Sequence, residues 1–197
     1  MSSESRPRAF LLKAGHLERD EDGNILDARS SVTLLLAASK KIIVDTGLEG
    51  EAGHILGRFA ELGLSPEEID LVINTHDHLD HCGNNGLFRR AQILSGKGMG
   101  RLKEGDVVAP GVWIMETPGH TLDSISVVCE SSRRIVVAGD ALPLMGNYLK
   151  WVPPRLHVDM DLAMKSMAKI VEAADLVVPG HDLPFLVRER MRVTDLD

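Results

Sequence analysis

Leu71-Val72-Ile73-Asn74-Thr75-His76-Asp77-His78-Leu79-Asp80-His81 runs from a short apolar segment into four metal-competent side chains. Leu71 to Ile73 reads as a buried strand, and His76, His78, Asp80 and His81 follow at once. Imidazole nitrogen and carboxylate oxygen are what zinc, iron and manganese take from proteins. In an extended chain residues i and i+2 point the same way, so His76 and His78 can reach one ion. Asp80 and His81, past a turn, can face a second. One His-x-His is a weak signal. His-x-His-x-Asp-His at a strand end demands matching ligands from the rest of the chain.

The matching residues sit at other strand ends. Apolar runs lead into Asp45-Thr46-Gly47, Pro118-Gly119-His120, Gly139-Asp140 and Pro179-Gly180-His181, as Leu71–Ile73 leads into Asn74-Thr75-His76. Sites collect where strand ends converge. A glycine before a ligand lets the backbone turn tightly toward a crowded centre. Five of the eight histidines fall into this one pattern, which scatter over surface and core would not produce. His76, His78 and His120 make a three-histidine set, which leaves a fourth position open for water as in catalytic zinc sites. Asp80, His81 and His181 make a second set. Asp140 is the remaining carboxylate, and its two oxygens can bridge two cations. Ions roughly 3.5–4 Å apart would share a hydroxide, available at neutral pH because metal-bound water has a pKa of about 7. That hydroxide would attack a carbonyl or phosphoryl centre without a serine or cysteine nucleophile. Asp80 could orient it through its second oxygen, which makes Asp80 the candidate catalytic residue.

Length and composition set the frame. A chain of 197 residues, 44% hydrophobic, is read as one domain over 1–197, with a loose lead at 1–8 and a charged tail at 187–197. Cys82 and Cys129 form no disulfide framework, and no apolar leader is visible near the start, so a cytoplasmic location is expected. The longest apolar stretch, Val32 to Ala38, is too short to span a bilayer, and no membrane partner is expected. The net charge of −7 argues against a nucleic-acid-coating surface.

Outward from the ligand stretch, the elements read as follows. Val32–Ala37 and Lys41–Val44 form a hairpin. Glu49–Leu62 has helical spacing, with Ile55, Leu56, Phe59 and Leu62 on one face and Gly63 as the stop. Ser65-Pro66-Glu67-Glu68 is a capping box opening a one-turn helix. Residues 15–31 read as a charged, solvated loop, with Asp22-Gly23-Asn24 as a turn. Gly83–Arg90 is expected to be helical. Asp159–Ala174 is an amphipathic helix whose methionines are core filler. The irregular segment 141–158 is a candidate lid, with Tyr148 and Trp151 as candidate substrate-binding residues.

The ordered set His76, His78, Asp80, His81, His120, Asp140 and His181 resembles the metallo-β-lactamase superfamily, over residues 32 to 186. That resemblance implies an α/β fold, a four-layer αββα sandwich with the site at one edge of two packed sheets. It makes Asp45 a supporting carboxylate behind the metal ligands. Within the superfamily the chain looks most similar to the short single-domain branch called metallo-β-lactamase domain-containing protein 1. His81-Cys82-Gly83-Asn84-Asn85-Gly86-Leu87-Phe88, Val136-Val137-Ala138-Gly139-Asp140 and Leu176-Val177-Val178-Pro179-Gly180-His181 carry that likeness. Neither the C-terminal helical domain of glyoxalase II nor the inserted domain of the β-CASP branch is expected here. Quorum-quenching lactonases place a Tyr three residues after the bridging Asp, where this chain has Pro143.

The expectation is a metallo-hydrolase with two divalent ions, zinc first and manganese or iron as alternatives. It would act on an ester, thioester, lactone or phosphodiester of a small-molecule substrate, in a chain that could form a homodimer. One alternative is a mononuclear iron enzyme resembling persulfide dioxygenases, with His76, His78, His120 and Asp140 around the iron. The other is an RNA-cleaving member of the superfamily, which would require a basic patch near the site from Arg89, Arg90, Lys97, Arg101 and Lys103.

Overall fold

The structure is a computed structural model that describes residues 6–196. Two sheets pack face to face, and each carries helices on its outer side. The first sheet comprises β1 (Arg8–Lys13), β4 (Val32–Ala37), β5 (Lys40–Val44), β6 (Leu71–Ile73) and β7 (Gln92–Leu94), in that spatial order. Strand β4 is antiparallel to β1 and β5, whereas β5, β6 and β7 run parallel. The second sheet holds β8 (Val107–Ala109), β9 (Val112–Glu116), β10 (Ile125–Glu130), β11 (Arg134–Gly139), β12 (Leu176–Pro179), β13 (Phe185–Leu186) and β14 (Met191–Arg192). There β11 and β12 are the parallel pair. A separate hairpin joins β2 (His16–Arg19) to β3 (Ile25–Arg29).

Strand alternation divides the apolar residues into three layers. Ile42 and Val44 of β5 point inward and meet Val127, Val137 and Val178 from the facing sheet. Ile43, between them, points outward against Ile55 and Phe59 of α1 (Ala52–Glu61). On the far side Val128, Val136 and Val177 point outward against Met167 and Ile170 of α4 (Met160–Ala173). This is the αββα sandwich that the resemblance implied. Gly63, with φ of +66°, ends α1 as expected. Asp159 caps α4 by accepting from the Leu162 amide at 2.9 Å.

Four expectations change. Leu56 is 41% exposed, because the buried stripe of α1 centres on Ile55 and Phe59 one turn apart. Residues 15–31 are not a loop but β2, β3 and their turn, where Asp20 accepts from the Asn24 amide and Gly23 takes φ of +81°. Gly83–Arg90 is not a helix. A single turn, α2 (Leu79–Cys82), comes earlier, and a 3₁₀ turn spans Asn85–Leu87. A side chain at Gly83 would lie 2.4 Å from the Glu49 nitrogen, and Asn84 spends its amide on the Thr46 and Leu48 carbonyls at 2.8 and 2.7 Å. Such side-chain bonds to the backbone compete with helix formation. The segment 141–158 contains α3 (Met145–Lys150). Of the lead at 1–8, residues 1–5 lie outside the described residues, Pro7 is buried and Arg8 opens β1. The final residues contribute β14, and Leu196 joins the inter-sheet core.

Candidate metal centre

Strand ends deliver the cluster. After β6 the chain reaches His76 and His78, and α2 presents Asp80 and His81. Asp140 follows β11 and His181 follows β12, so the parallel pair delivers both to the same edge. His120 stands on the connection from β9 to β10.

Two groups of ligand atoms converge. His78 Nδ1 lies 3.0 Å from His76 Nε2 and 3.1 Å from His120 Nε2. One tetrahedral ion with nitrogens at about 2.0–2.1 Å would hold them about 3.3 Å apart, close to this spacing. In the second group His181 Nε2 lies 3.4 Å from Asp80 Oδ2, and His81 Nε2 lies 3.9 Å from the same oxygen. Asp140 sits between the groups. Its Oδ2 is 3.5 Å from His120 Nε2, while its Oδ1 is 3.1 Å from His181 Nε2 and 3.4 Å from His81 Nε2. His81 Nε2 and Asp140 Oδ1 are buried without a hydrogen-bond partner among the described residues. Buried polar atoms are rarely left so. A divalent cation in the second group would engage both, so the donor set there fits an ion, and Asp140 Oδ2 adds a fourth donor beside the three imidazoles of the first group.

The rings of His81, His120 and His181 are tethered on the far side. His120 Nδ1 donates to the Leu156 carbonyl at 2.7 Å, and His181 Nδ1 donates to the Arg29 carbonyl at 3.0 Å. His81 Nδ1 pairs with Asp45 Oδ2 at 2.7 Å. These contacts turn each Nε2 toward the centre. Asp45 is fully buried and holds φ of +57°, uncommon for a residue with a side chain. Its carboxylate also accepts from the Thr75 amide at 2.8 Å and the Thr75 hydroxyl at 2.9 Å. Sequence reasoning passed over Thr75, whose residue type just past a strand end carries no chemical signal. It likewise passed over Asn74, Asn85 and Thr46. The Thr46 amide and the Asn74 side chain donate to the His81 carbonyl at 2.7 and 3.2 Å, and Asn85 donates to Asn74 Oδ1 at 2.8 Å.

Charge divides the cluster. Burial lowers the pKa of His76 and His78, helped by neighbouring ligand histidines, so both rings are neutral and ready to donate lone pairs. Burial also opposes charge on His81 and His181, but the carboxylates outweigh it. Asp45 and Asp140 raise His81, and Asp140 raises His181. Asp140 is held well below the usual carboxylate range: burial works against its charge, and His81 and His181 prevail.

Glycines make the crowding possible. A Cβ on Gly180 would lie 2.1 Å from Asp140 Oδ1, and one on Gly139 would lie 2.4 Å from Thr75 Oγ1. Gly119, at φ of +136°, passes so close to α4 that a Cβ would meet the Ala163 backbone at 2.3 Å.

The cluster lies in a pocket of about 430 Å³ that exposes His78, Asp80, His120, Asp140 and His181. Its walls are largely apolar, with Leu17 and Ile25 from the β2–β3 hairpin facing Leu144, Val152 and Leu156. Tyr148 and Trp151 do not line it. Tyr148 stacks on Phe185 with ring centres 5.5 Å apart and donates to the Val187 carbonyl at 2.9 Å, so it packs into the layer beneath α4. Trp151 ends α3 in the left-handed conformation and is 48% exposed. Arg89, Arg90, Lys97, Arg101 and Lys103 are absent from the pocket lining, and Lys97 pairs with Asp77 at 3.6 Å.

Residues 26–98 match the profile of the metallo-beta-lactamase superfamily. A probable metallo-hydrolase of Methanocaldococcus jannaschii is 42% identical, the match covering 87% of this chain and 85% of that protein. The mouse metallo-beta-lactamase domain-containing protein 1 is 35% identical, over 86% of this chain and 70% of its own length. The crystal structure of an N-acyl homoserine lactone hydrolase with its product at the catalytic metal centre superposes with a TM-score of 0.69 at 22% identity, covering 90% of this chain and 93% of that one. The chain belongs to the metallo-β-lactamase superfamily, and within it to a group of metallo-hydrolases. Its His/Asp cluster is the part of the fold that could bind metal.

Proposed function

We propose that the chain is a dinuclear metal-dependent hydrolase, with zinc the first choice of ion, acting on an ester, thioester or lactone of a small molecule. The observation that carries this reading is Asp140, whose two oxygens face two separate ligand groups at the floor of one pocket. His76, His78 and His120 would hold one ion, Asp80, His81 and His181 the other, and Asp140 both. When bound, the ions would supply a hydroxide nucleophile at neutral pH and polarise the substrate oxygen.

The chain's own residues do the rest. Asp80 turns Oδ2 toward His181, which leaves Oδ1 to accept a hydrogen bond from the nucleophile and aim it. Asp45, Leu156 and Arg29 hold the imidazoles in register through their Nδ1 atoms. Leu17, Ile25, Leu144 and Leu156 form an apolar wall on one side of the site. The apolar residues of the wall suit an acyl substrate. The mononuclear alternative would leave Asp80, His81 and His181 gathered for no purpose.

The test is a panel of 4-nitrophenyl esters, thioesters and lactones offered to the zinc-loaded protein. His78→Ala and Asp140→Ala should each abolish hydrolysis and lower metal content. Full activity in either variant would sink the mechanism.

A further inference from the structure

Two arginines line the same pocket as the ligand cluster. Arg19 comes from β2 and Arg155 from the segment after α3. Both guanidiniums converge on one backbone carbonyl at the β2–β3 turn: each donates through Nη1 to Gly23 O, at 2.9 Å from Arg19 and 2.6 Å from Arg155. A guanidinium carries five N–H donors, so this contact leaves most of each fork unused. Arg29 pairs with Asp27, Arg58 with Glu61, Arg134 with Glu130 and Arg192 with Asp182. Among the described residues, Arg19 and Arg155 have no such carboxylate. Of the two acids that flank Arg19 in sequence, Asp20 turns both oxygens to Asn24 at 2.7 and 2.8 Å, and no ion pair joins Glu18 to Arg19 among the described residues. In a chain of net charge −7, two uncompensated cations side by side on the wall of an apolar pocket lack a counter-ion.

We propose that Arg19 and Arg155 clamp an anionic group of the substrate. The substrate class is then an amphiphilic acid: a scissile ester, thioester or lactone carbonyl at the ligand cluster, an apolar segment along the walls, and a carboxylate held by the two guanidiniums. Planar forks match a carboxylate bidentately. The inference rests on the hydrolase reading and specifies its substrate. Hydrolysis adds water across the acyl bond: the carbonyl carbon gains the water oxygen, its bond to the leaving oxygen or sulfur breaks, and the leaving group takes a proton. With the clamped carboxylate on the acyl part, the acyl product is a dicarboxylate.

The test uses zinc-loaded protein and two series of 4-nitrophenyl esters. One is made from straight-chain monocarboxylic acids and the other consists of the half-esters of dicarboxylic acids of equal length. At the best-fitting length the charged ester should show a kcat/KM about tenfold higher, mainly through KM, as expected for one charge-assisted pair. Arg19→Gln/Arg155→Gln should bring the ratio of charged to neutral to about one. Equal ratios in the wild type, or a preference that survives the double variant, would overturn the clamp. Calorimetric titration with the free acids separates this from the parent reading. No turnover of either series, with about tenfold tighter binding of the dicarboxylate, would sink the hydrolase and leave the clamp standing. Turnover of the neutral esters without that binding preference would sink the clamp alone.

Discussion

Asp45 shows how much one residue carries here. It gives hydrogen-bond acceptors to Thr75 twice and to His81 once, in a backbone conformation that only asparagine, aspartate and glycine enter readily. Asp45→Asn keeps that conformation and removes the charge. We expect metal affinity to fall roughly 10- to 100-fold, the usual loss when the partner of a ligand histidine goes, measured by competition with a chromogenic chelator. The protonation pattern gives a second expectation. In the metal-free protein His81 and His181 are raised toward the charged form, whereas His76 and His78 are lowered toward the neutral one. Ligands must shed protons to bind. Metal uptake at the Asp80, His81 and His181 group should therefore release protons and weaken as pH falls through neutrality, while uptake at the three-histidine group should change less. Calorimetry in buffers of different ionisation enthalpy would read the difference, and proton-free uptake at both groups would refute it. The converging residues were legible in the sequence because histidine and aspartate at strand ends carry their chemistry in their type. Tyr148 and Trp151 were misread because an aromatic type does not reveal which way its ring points, and Tyr148 points into the core.

At the scale of elements, the site depends on close approach. Gly119, between β9 and His120, lies against the α4 backbone at Ala163, so Gly119→Ala should cost about 1–3 kcal/mol through overpacking and a strained φ. It should also displace His120. Denaturant titration and metal content would check both, and an unchanged midpoint with full metal would contradict the account. Phe59, 1% exposed, anchors α1 to the first sheet, so Phe59→Ala should cost about 3–5 kcal/mol without altering the ligand geometry. The apolar strands and α4 were legible from periodicity. The β2–β3 hairpin was not, because its residues are largely exposed and charged and its strands pair only with each other. Nor was the break of helix at Gly83, which is imposed by contact with Gly47–Glu49, far away in sequence.

Over the whole molecule, three apolar layers fix two sheets so that the parallel strands of each open at one edge, where the ligand groups meet. A larger groove of about 750 Å³, lined by Arg6, Arg133, Arg134 and Arg188, holds none of them and is no rival for the chemistry. No helix among the described residues is long and apolar enough to cross a membrane. Ligands gathered from four separate segments, 76–81, His120, Asp140 and His181, tie both sheets to the centre, so metal binding should stabilise the fold. Zinc at about 100 times its dissociation constant adds about 2.7 kcal/mol per site, roughly 5 kcal/mol for two, which would raise Tm by roughly 10–20 °C over the chelated protein. A Tm indifferent to chelation would mean that the cluster is not a metal centre. The most direct measurement is metal stoichiometry by plasma mass spectrometry, on protein saturated with zinc and freed of excess. The account predicts about two equivalents in the wild type and fewer in Asp140→Ala. One equivalent or none in the wild type would contradict it.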